Sequence, residues 1–274
     1  MHSPTKNTQT QLDEILVLIV NKKWSEAKEV FDALSDEKKQ ECKKYMTDRI
    51  VPEDEDTSSE IPNTTELKAL CNHLLTAGRH DLIQLLFLLD FFNAEIFFGN
   101  TTFLLTLCSQ QDATFSTWLC THSIPDQITL TAETFTQVFN YACQQNQLPI
   151  AKTLWSCATQ EQKQAAFTDF TAFDVSCQEG NLPILHWLWS ICESDDQRQQ
   201  MLMHDDFTPI NLAALHKQTP VLQWIGTLKS AGFQIPDVFE NILTDVSSRR
   251  HQFFPEVRNQ GSTVDHSHKQ EPGL

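Results

Sequence analysis

A unit of about 34 residues recurs along the sequence. The stretches 170–189 and 207–225 both begin Phe-Thr, run as an apolar helix to a polar break, and restart as a second helix with proline one residue in. Both second helices carry a tryptophan on the apolar face, Trp187 and Trp224. Repeated units of this kind stack on one another and bury a continuous core between them. The repeat therefore predicts an all-α solenoid of stacked helical pairs.

Five units can be placed in phase by sliding the sequence on itself. The breaks between their paired helices fall at His80, Thr114, Leu148, Leu182 and Thr219, in steps of 34, 34, 34 and 37 residues. A short polar residue also recurs at one position of each first helix, and its regular spacing indicates a structural role: Asn72, Thr106, Asn140, Asp174 and Asn211. The five tryptophans at 118, 155, 187, 189 and 224 fall in second helices, where packing between units is expected.

The last unit resembles a known repeat family. Residues 208–214 read TPINLAA, which is similar to the T-P-L-H-x-A signature of ankyrin repeats. Gly78 and Gly180 stand where that family has glycine before the second helix. Three departures are visible: only the last unit has Thr-Pro, the polar column lacks the family's histidine, and the linkers between units carry an extra segment. The resemblance covers roughly residues 67–232.

The resemblance implies a fold and a surface. The expected fold is an all-α, ankyrin-like solenoid of stacked helix–turn–helix repeats with helical caps and short hairpin fingers at most. The family binds partner proteins on an inner face formed by the ends of first helices and the fingers. Matching to that pattern gives the expected partner-binding residues: Gln144, Gln145, Gln178, Glu179, His204, Asp205, Asp206 and His216.

A narrower resemblance concerns the divergent, Gln-rich, Trp-bearing character of the units. Such units look like those of effector proteins that intracellular bacterial pathogens inject into host cells. This implies virulence, secretion into the host cytoplasm, and a host protein as partner.

The rest of the chain is assigned from composition. The N-terminal segment begins with a loose polar tail over residues 1–10 and continues with helices that form a cap or a diverged repeat. Four consecutive acids, serines and prolines mark a linker, which has the charge to attract a basic peptide. The expected division is 1–50 N-terminal helical cap, 51–66 acidic linker, 67–232 repeats, 233–254 C-terminal capping helix and 255–274 disordered tail.

Five phenylalanines lie between residues 87 and 98, more than a junction between units normally needs. They either fill that junction or form an exposed apolar patch through which the chain oligomerises or binds a partner. We favour the junction and expect a monomer.

Charge and cysteine content limit the function classes. The net charge is −16, which repels phosphates, excludes nucleic acid as an expected ligand and favours a protein partner with a basic surface. The eight cysteines mostly sit in apolar helical columns and include no CxxC pair, so we expect structural thiols in a reducing cytoplasm. No run of 18 apolar residues exists, so no membrane span is expected.

The sequence lacks the common catalytic motifs. Phosphate-binding glycine loops, the GxSxG elbow and HExxH are missing, so we expect no enzyme, no cofactor and no metal. The alternative is an enzyme that modifies a host protein through Cys120 and His122, which are close in sequence. His266 and His268 are a weak candidate for metal binding in the tail.

Overall fold

The computed structural model describes residues 6–50, 63–110, 112–168, 170–240 and 242. These residues form helices and turns and no strand, so the all-α prediction is confirmed for them. The N-terminal segment contains three helices: α1 (Lys6–Val20), α2 (Trp24–Asp32) and α3 (Asp36–Ile50).

The repeat region contains the remaining helices. In chain order they are α4 (Thr64–Thr76), α5 (His80–Leu88), α6 (Ala94–Phe98), α7 (Thr101–Ser109), α8 (Ala113–His122), α9 (Ala132–Gln144), α10 (Leu148–Cys157), α11 (Gln160–Thr168), α12 (Thr171–Glu179), α13 (Leu182–Ile191), α14 (Asp195–Leu215) and α15 (Thr219–Ser230). Non-helical residues 204–207 divide α14 into two halves. Second helices α5, α10, α13 and α15 begin at the residue that marks the break in their unit, and α8 begins one residue before it.

The same tight turn joins the helices of five pairs: α1–α2, α4–α5, α9–α10, α12–α13 and α14–α15. Two residues before the second helix, the backbone is left-handed at Lys22, Gly78, Asn146, Gly180 and Lys217, with φ between 55° and 80°. In these turns the next residue's N–H bonds back to the last turn of the first helix, as from Gln147 to the carbonyl of Ala142 at 2.8 Å. This is the Schellman ending, which satisfies carbonyls that a helix otherwise leaves unpaired. The N-terminal pair α1–α2 has the same turn as four of the predicted repeats.

First helices pack in a row: α7 lies against α4 and α9, and α12 lies against α9 and α14. Large aromatic side chains fill the row and are almost completely buried, including Phe103, Phe135, Phe139 and Phe173. The linkers differ from the predicted short fingers, because α11 and the first half of α14 are helical. A Thr159–Gln162 capping box starts α11, since each residue's side chain accepts a hydrogen bond from the other's backbone N–H.

The N-terminal unit packs mainly on the second helices of the repeat region. Helix α1 lies against α5, and the Trp24 ring meets the Trp118 ring edge-on, with centroids 4.9 Å apart. The predicted polar tail is wrong from residue 6 onward, because α1 begins at Lys6. The Thr8 hydroxyl is buried and donates to Glu41 Oε2 at 2.8 Å. Residues 1–5 lie outside the described part of the chain.

The phenylalanines between residues 87 and 98 occupy the junction after the first repeat. Phe91, Phe92, Phe97 and Phe98 are buried, and only Phe87 is partly exposed. The junction interpretation is confirmed. The alternative, an exposed patch that mediates oligomerisation, is wrong because its aromatic rings are packed inside.

The two ends of the repeat region differ from the predicted boundaries. The acidic linker was expected to extend to residue 66, but α4 begins at Thr64 after an Asn63–Glu66 capping box. At the other end, a 3₁₀ turn at Asp237–Phe239 places the Phe239 ring 5.6 Å from that of Phe207. Linker residues 51–62, most of the predicted C-terminal helix beyond residue 242, and the tail 255–274 with its two histidines lie outside the described residues.

Across the described residues, no helix combines the length and hydrophobicity needed to cross a membrane.

Candidate functional site

Side-chain amides form hydrogen bonds between the turns of successive units, and we call this series of bonds the amide ladder. Each amide reaches back to carbonyls at the end of the preceding first helix, which have no partner within that helix. Asn181 Nδ2 donates to the carbonyls of Cys143 and Gln144 at 2.9 and 2.8 Å, and Gln218 Nε2 donates to that of Gln178 at 2.7 Å. Similar bonds in earlier units run from Gln110 to Leu75 at 3.0 Å and from Gln147 to Gln110 at 3.2 Å.

The ladder was not anticipated from the sequence, although a signal was present. An amide residue stands immediately before three of the predicted second helices, at Gln147, Asn181 and Gln218. Their spacing follows the repeat. Because two of these side chains are buried and all three bond to backbone, they fix the turns in position and are not themselves a surface for a partner.

Five of the eight predicted partner-binding residues lie on these turns. Gln145, Glu179 and His216 are exposed at the ends of three successive first helices, and we call them the turn row. Gln144 and Gln178 are only half-exposed, and their carbonyls accept ladder bonds. The structure therefore brings the five together at corresponding ends of neighbouring helices.

The other three predicted residues lie at the opposite end of the second half of α14. Asp205 and Asp206 are exposed and adopt left-handed backbone, with φ of 44° and 54°. His204 is largely buried, with 13% of its side chain exposed, and its Nε2 lies 2.9 Å from Asp174 Oδ1. The helical residues 208–215, which span about 12 Å at 1.5 Å rise each, lie between His216 and the two aspartates. The eight residues thus form two groups, and His204 serves the packing of the last unit.

The recurring polar column connects first helices to adjacent linkers, which follow the helix at Asn72 and Asp174 and precede it at Asn211. Asn100 Nδ2 donates to Asn72 Oδ1 at 3.2 Å, and Asn211 Nδ2 donates to the carbonyl of Asp206 at 3.1 Å. With the Asp174–His204 pair, these contacts support the structural role predicted for the column. Asn140 departs from it, because its Oδ1 is buried without a hydrogen-bond partner.

A further polar contact joins the first two repeats. His80 Nδ1 lies 3.1 Å from Asp112 Oδ2, and the His80 ring stacks on that of Phe115 at 4.3 Å. Burial raises the pKa of Asp112, but hydrogen bonds from the backbone N–H groups of Phe115 and Thr114, with His80 nearby, hold that pKa below its usual value. The carboxylate also caps the N-terminus of α8.

The Cys120–His122 alternative needs a thiolate and an adjacent base. Burial raises the pKa of the Cys120 thiol to about 11, which disfavours the nucleophilic thiolate. His122 Nδ1 bonds to the Trp118 carbonyl at 2.9 Å, and the His122 ring packs against the Trp24 and Trp118 rings. This geometry gives no support to a cysteine–histidine couple. Among the described residues, no group of three or more His, Cys, Asp or Glu side chains is placed to hold a metal ion.

No protein-family model, curated protein or solved structure matches the chain. The ankyrin resemblance therefore rests on the repeat columns of the sequence.

Proposed function

We propose that the chain is a non-catalytic protein-binding module, an ankyrin-like solenoid that holds a partner protein on its repeat surface. The observation that carries the proposal is the turn row. Gln145, Glu179 and His216 occupy related positions in successive units, are exposed, and are not needed for packing. The backbone beneath them is fixed by the Schellman turns and the amide ladder. A surface that is rigid before binding loses less conformational entropy when a partner docks.

Electrostatics favours a basic partner. The chain carries a net charge of −16, and Glu179 in the turn row and the aspartates 205 and 206 are exposed acids. Complementary charge speeds the encounter of two proteins and selects against like-charged partners. A partner that extends from the turn row to the opposite end of the last unit would contact both groups of acids.

The proposal also concerns where the protein acts and what kind of protein it binds. The resemblance to injected bacterial effectors supports a host protein as the partner and the host cytoplasm as the place of action. The capture experiment below therefore uses eukaryotic lysate.

The test is affinity capture with three forms of the full chain. The site variant combines Glu179→Lys, Asp205→Lys and Asp206→Lys. The matched control combines Asp13→Lys, Glu29→Lys and Asp48→Lys, which are exposed acids of the N-terminal unit, so both variants change the net charge equally. We expect a protein that is captured by the wild type and the control and lost by the site variant, with unchanged melting temperatures. Equal capture by all three forms would refute the proposal.

A further inference from the structure

The N-terminal unit, residues 6–50, covers part of the second helices of the first two repeats. Helix α1 lies against α5, and the Trp24 ring contacts the rings of Phe87 in α5 and of Trp118 and His122 in α8. The distances between ring centroids are 6.4, 4.9 and 5.4 Å in that order. We call these three rings of α5 and α8 the aromatic face. Only 8% of Trp118 is exposed while the N-terminal unit lies on this face.

The contact between the N-terminal unit and the repeats is almost entirely apolar. The hydrogen bonds and ion pairs of the described residues run within each of the two parts, and none of them joins one part to the other. The polar contacts that remain are a cation–π contact of Lys43 with Phe91, 5.6 Å from the ring centre, and the longer-range charge of Lys22 on Asp112. Successive repeats, in contrast, are joined by the hydrogen bonds of the amide ladder.

The sequence explains why the amide ladder does not extend to the N-terminal unit. An amide residue precedes α10, α13 and α15, and its side chain reaches the preceding unit. Lys23 precedes α2, and its ammonium group pairs with Glu26 of the same helix at 3.0 Å. The α1–α2 pair therefore has the turn of a repeat without the hydrogen bond that would fix it to a neighbour.

Two indole donors at this contact have no hydrogen-bond partner. Nε1 of Trp24 and Nε1 of Trp118 are both buried, and the two rings meet edge-on. A buried N–H without a partner costs free energy that the same group does not lose in water. Separating the two rings would let water reach these donors, so their cost opposes docking and lowers the free energy needed for release.

The kind of ligand that fits the aromatic face is visible in the structure, because α2 occupies it. Trp24, Ala27 and Phe31 follow one another at the spacing i, i+3 and i+7, which places them on one stripe of the helix. Trp24 contacts the aromatic face, and Ala27 and Phe31 are buried. Amphipathic helices of this pattern are a common means by which one protein docks on another. A partner helix with a tryptophan in the same pattern would fit the face once α2 has left it.

We propose that the N-terminal unit is a releasable cover of a protein-binding face. Residues 6–50 leave the repeats as one body, since α1 packs on both α2 and α3. The aromatic face then binds an amphipathic helix of a partner protein that carries a tryptophan, as α2 does. Because the released unit stays attached to the chain, it competes with the partner and sets the partner concentration that binding requires. The inference does not rest on the proposed function, because the turn row lies in later repeats.

The test supplies the N-terminal unit as a separate molecule. A fluorescein-labelled synthetic peptide of residues 6–50 is titrated with the full chain, and fluorescence anisotropy gives the Kd. Trp24→Ala weakens the chain's own cover, and Trp24→Ala/Trp118→Ala also removes a ring of the aromatic face. The matched control is Trp189→Ala, which removes a half-buried tryptophan of a later second helix. Circular dichroism checks that each variant folds.

We expect Trp24→Ala to bind the peptide at least about tenfold more tightly than the wild type, because a weakened cover competes less with the peptide. Trp189→Ala should bind as the wild type does, and Trp24→Ala/Trp118→Ala should lose the gain. Equal Kd values for the wild type and Trp24→Ala, binding by neither, or a gain that survives Trp118→Ala would overturn the proposal. The site variant of the capture experiment should bind the peptide as the wild type does, so the two proposals can fail separately.

Hydrogen exchange of the wild-type full chain gives a second measurement that a misfolded variant cannot obscure. The amides of α1, α2 and α3 should exchange through one shared opening whose free energy lies below that of α9 and α12. Helices α5 and α8 should stay protected during that opening, because only their covered side chains become exposed. Equal opening free energies across the chain, or separate openings for the three N-terminal helices, would contradict release as one body.

Discussion

Gly180→Ala is the substitution that tests the amide ladder most specifically. Gly180 has φ of 80° in the turn between α12 and α13. Alanine in left-handed backbone costs roughly 1–2 kcal/mol. At this position an added Cβ would also collide with the side-chain amide of Gln218, which donates to the carbonyl of Gln178. Losing that hydrogen bond costs about 1 kcal/mol more, so we expect Gly180→Ala to reduce the free energy of unfolding by about 2–3 kcal/mol.

Gly78 provides the matched control. It occupies the same turn position three repeats earlier, with φ of 68°, and a Cβ added there would meet no atom within 4 Å. Gly78→Ala should therefore lose only the backbone contribution, about 1–2 kcal/mol. The difference between the two variants isolates the collision with Gln218.

Urea unfolding followed by circular dichroism measures both losses, with the denaturant slope used to check that each variant unfolds as the wild type does. A Gln218→Ala background supplies the second control, because it removes the amide that the new methyl group displaces. There the cost of Gly180→Ala should fall to that of Gly78→Ala. Equal losses for the two glycine variants in the wild-type background, or an unchanged cost in the Gln218→Ala background, would refute this account of the ladder.

Three further predictions concern single side chains. Lys217→Gly should stabilise the chain by about 1 kcal/mol in urea unfolding, because Lys217 has φ of 56° and glycine adopts this conformation without strain; a loss of stability would contradict this. The lowered pKa of Asp112 contributes stability above about pH 4, the unfolded value, and that stability is lost as pH falls through the folded pKa. Asp112→Asn, which keeps the helix cap, should therefore lose less stability on acidification, and identical pH profiles would count against the assignment. Because the pKa of Cys120 is about 11, Ellman's reagent at about pH 8 should label it far more slowly than a free cysteine, and rapid labelling of one thiol per native chain would argue otherwise.

The repeat could be predicted because its strongest signals are local. Apolar periodicity and the polar breaks located the second helices, four of which begin at the break position of their unit, including Leu148 and Leu182. The N-terminal copy was harder to recognise, because Lys22 occupies the left-handed turn position where glycine or asparagine would have marked it. The linker helices had a readable signal in the pairs Thr159–Gln162 and Ser194–Gln197, both of which cap helices.

The surface could be predicted only in part, because exposure depends on contacts distant in sequence. Gln145, Glu179 and His216 are exposed as expected, since the turns protrude from the helical row. His204 was expected on the surface and is instead largely buried, since it contacts Asp174, thirty residues earlier.

Site-specific photocrosslinking tests the central claim, that the turn row binds a partner protein, most directly. A photoreactive phenylalanine analogue would replace Gln145, Glu179 or His216 in turn, with Glu29 of the N-terminal unit as the exposed control position. The account predicts that, in eukaryotic lysate, the three turn-row positions crosslink to the same protein and that Glu29 does not. Crosslinks to that protein from Glu29 alone, or from all four positions alike, would contradict it.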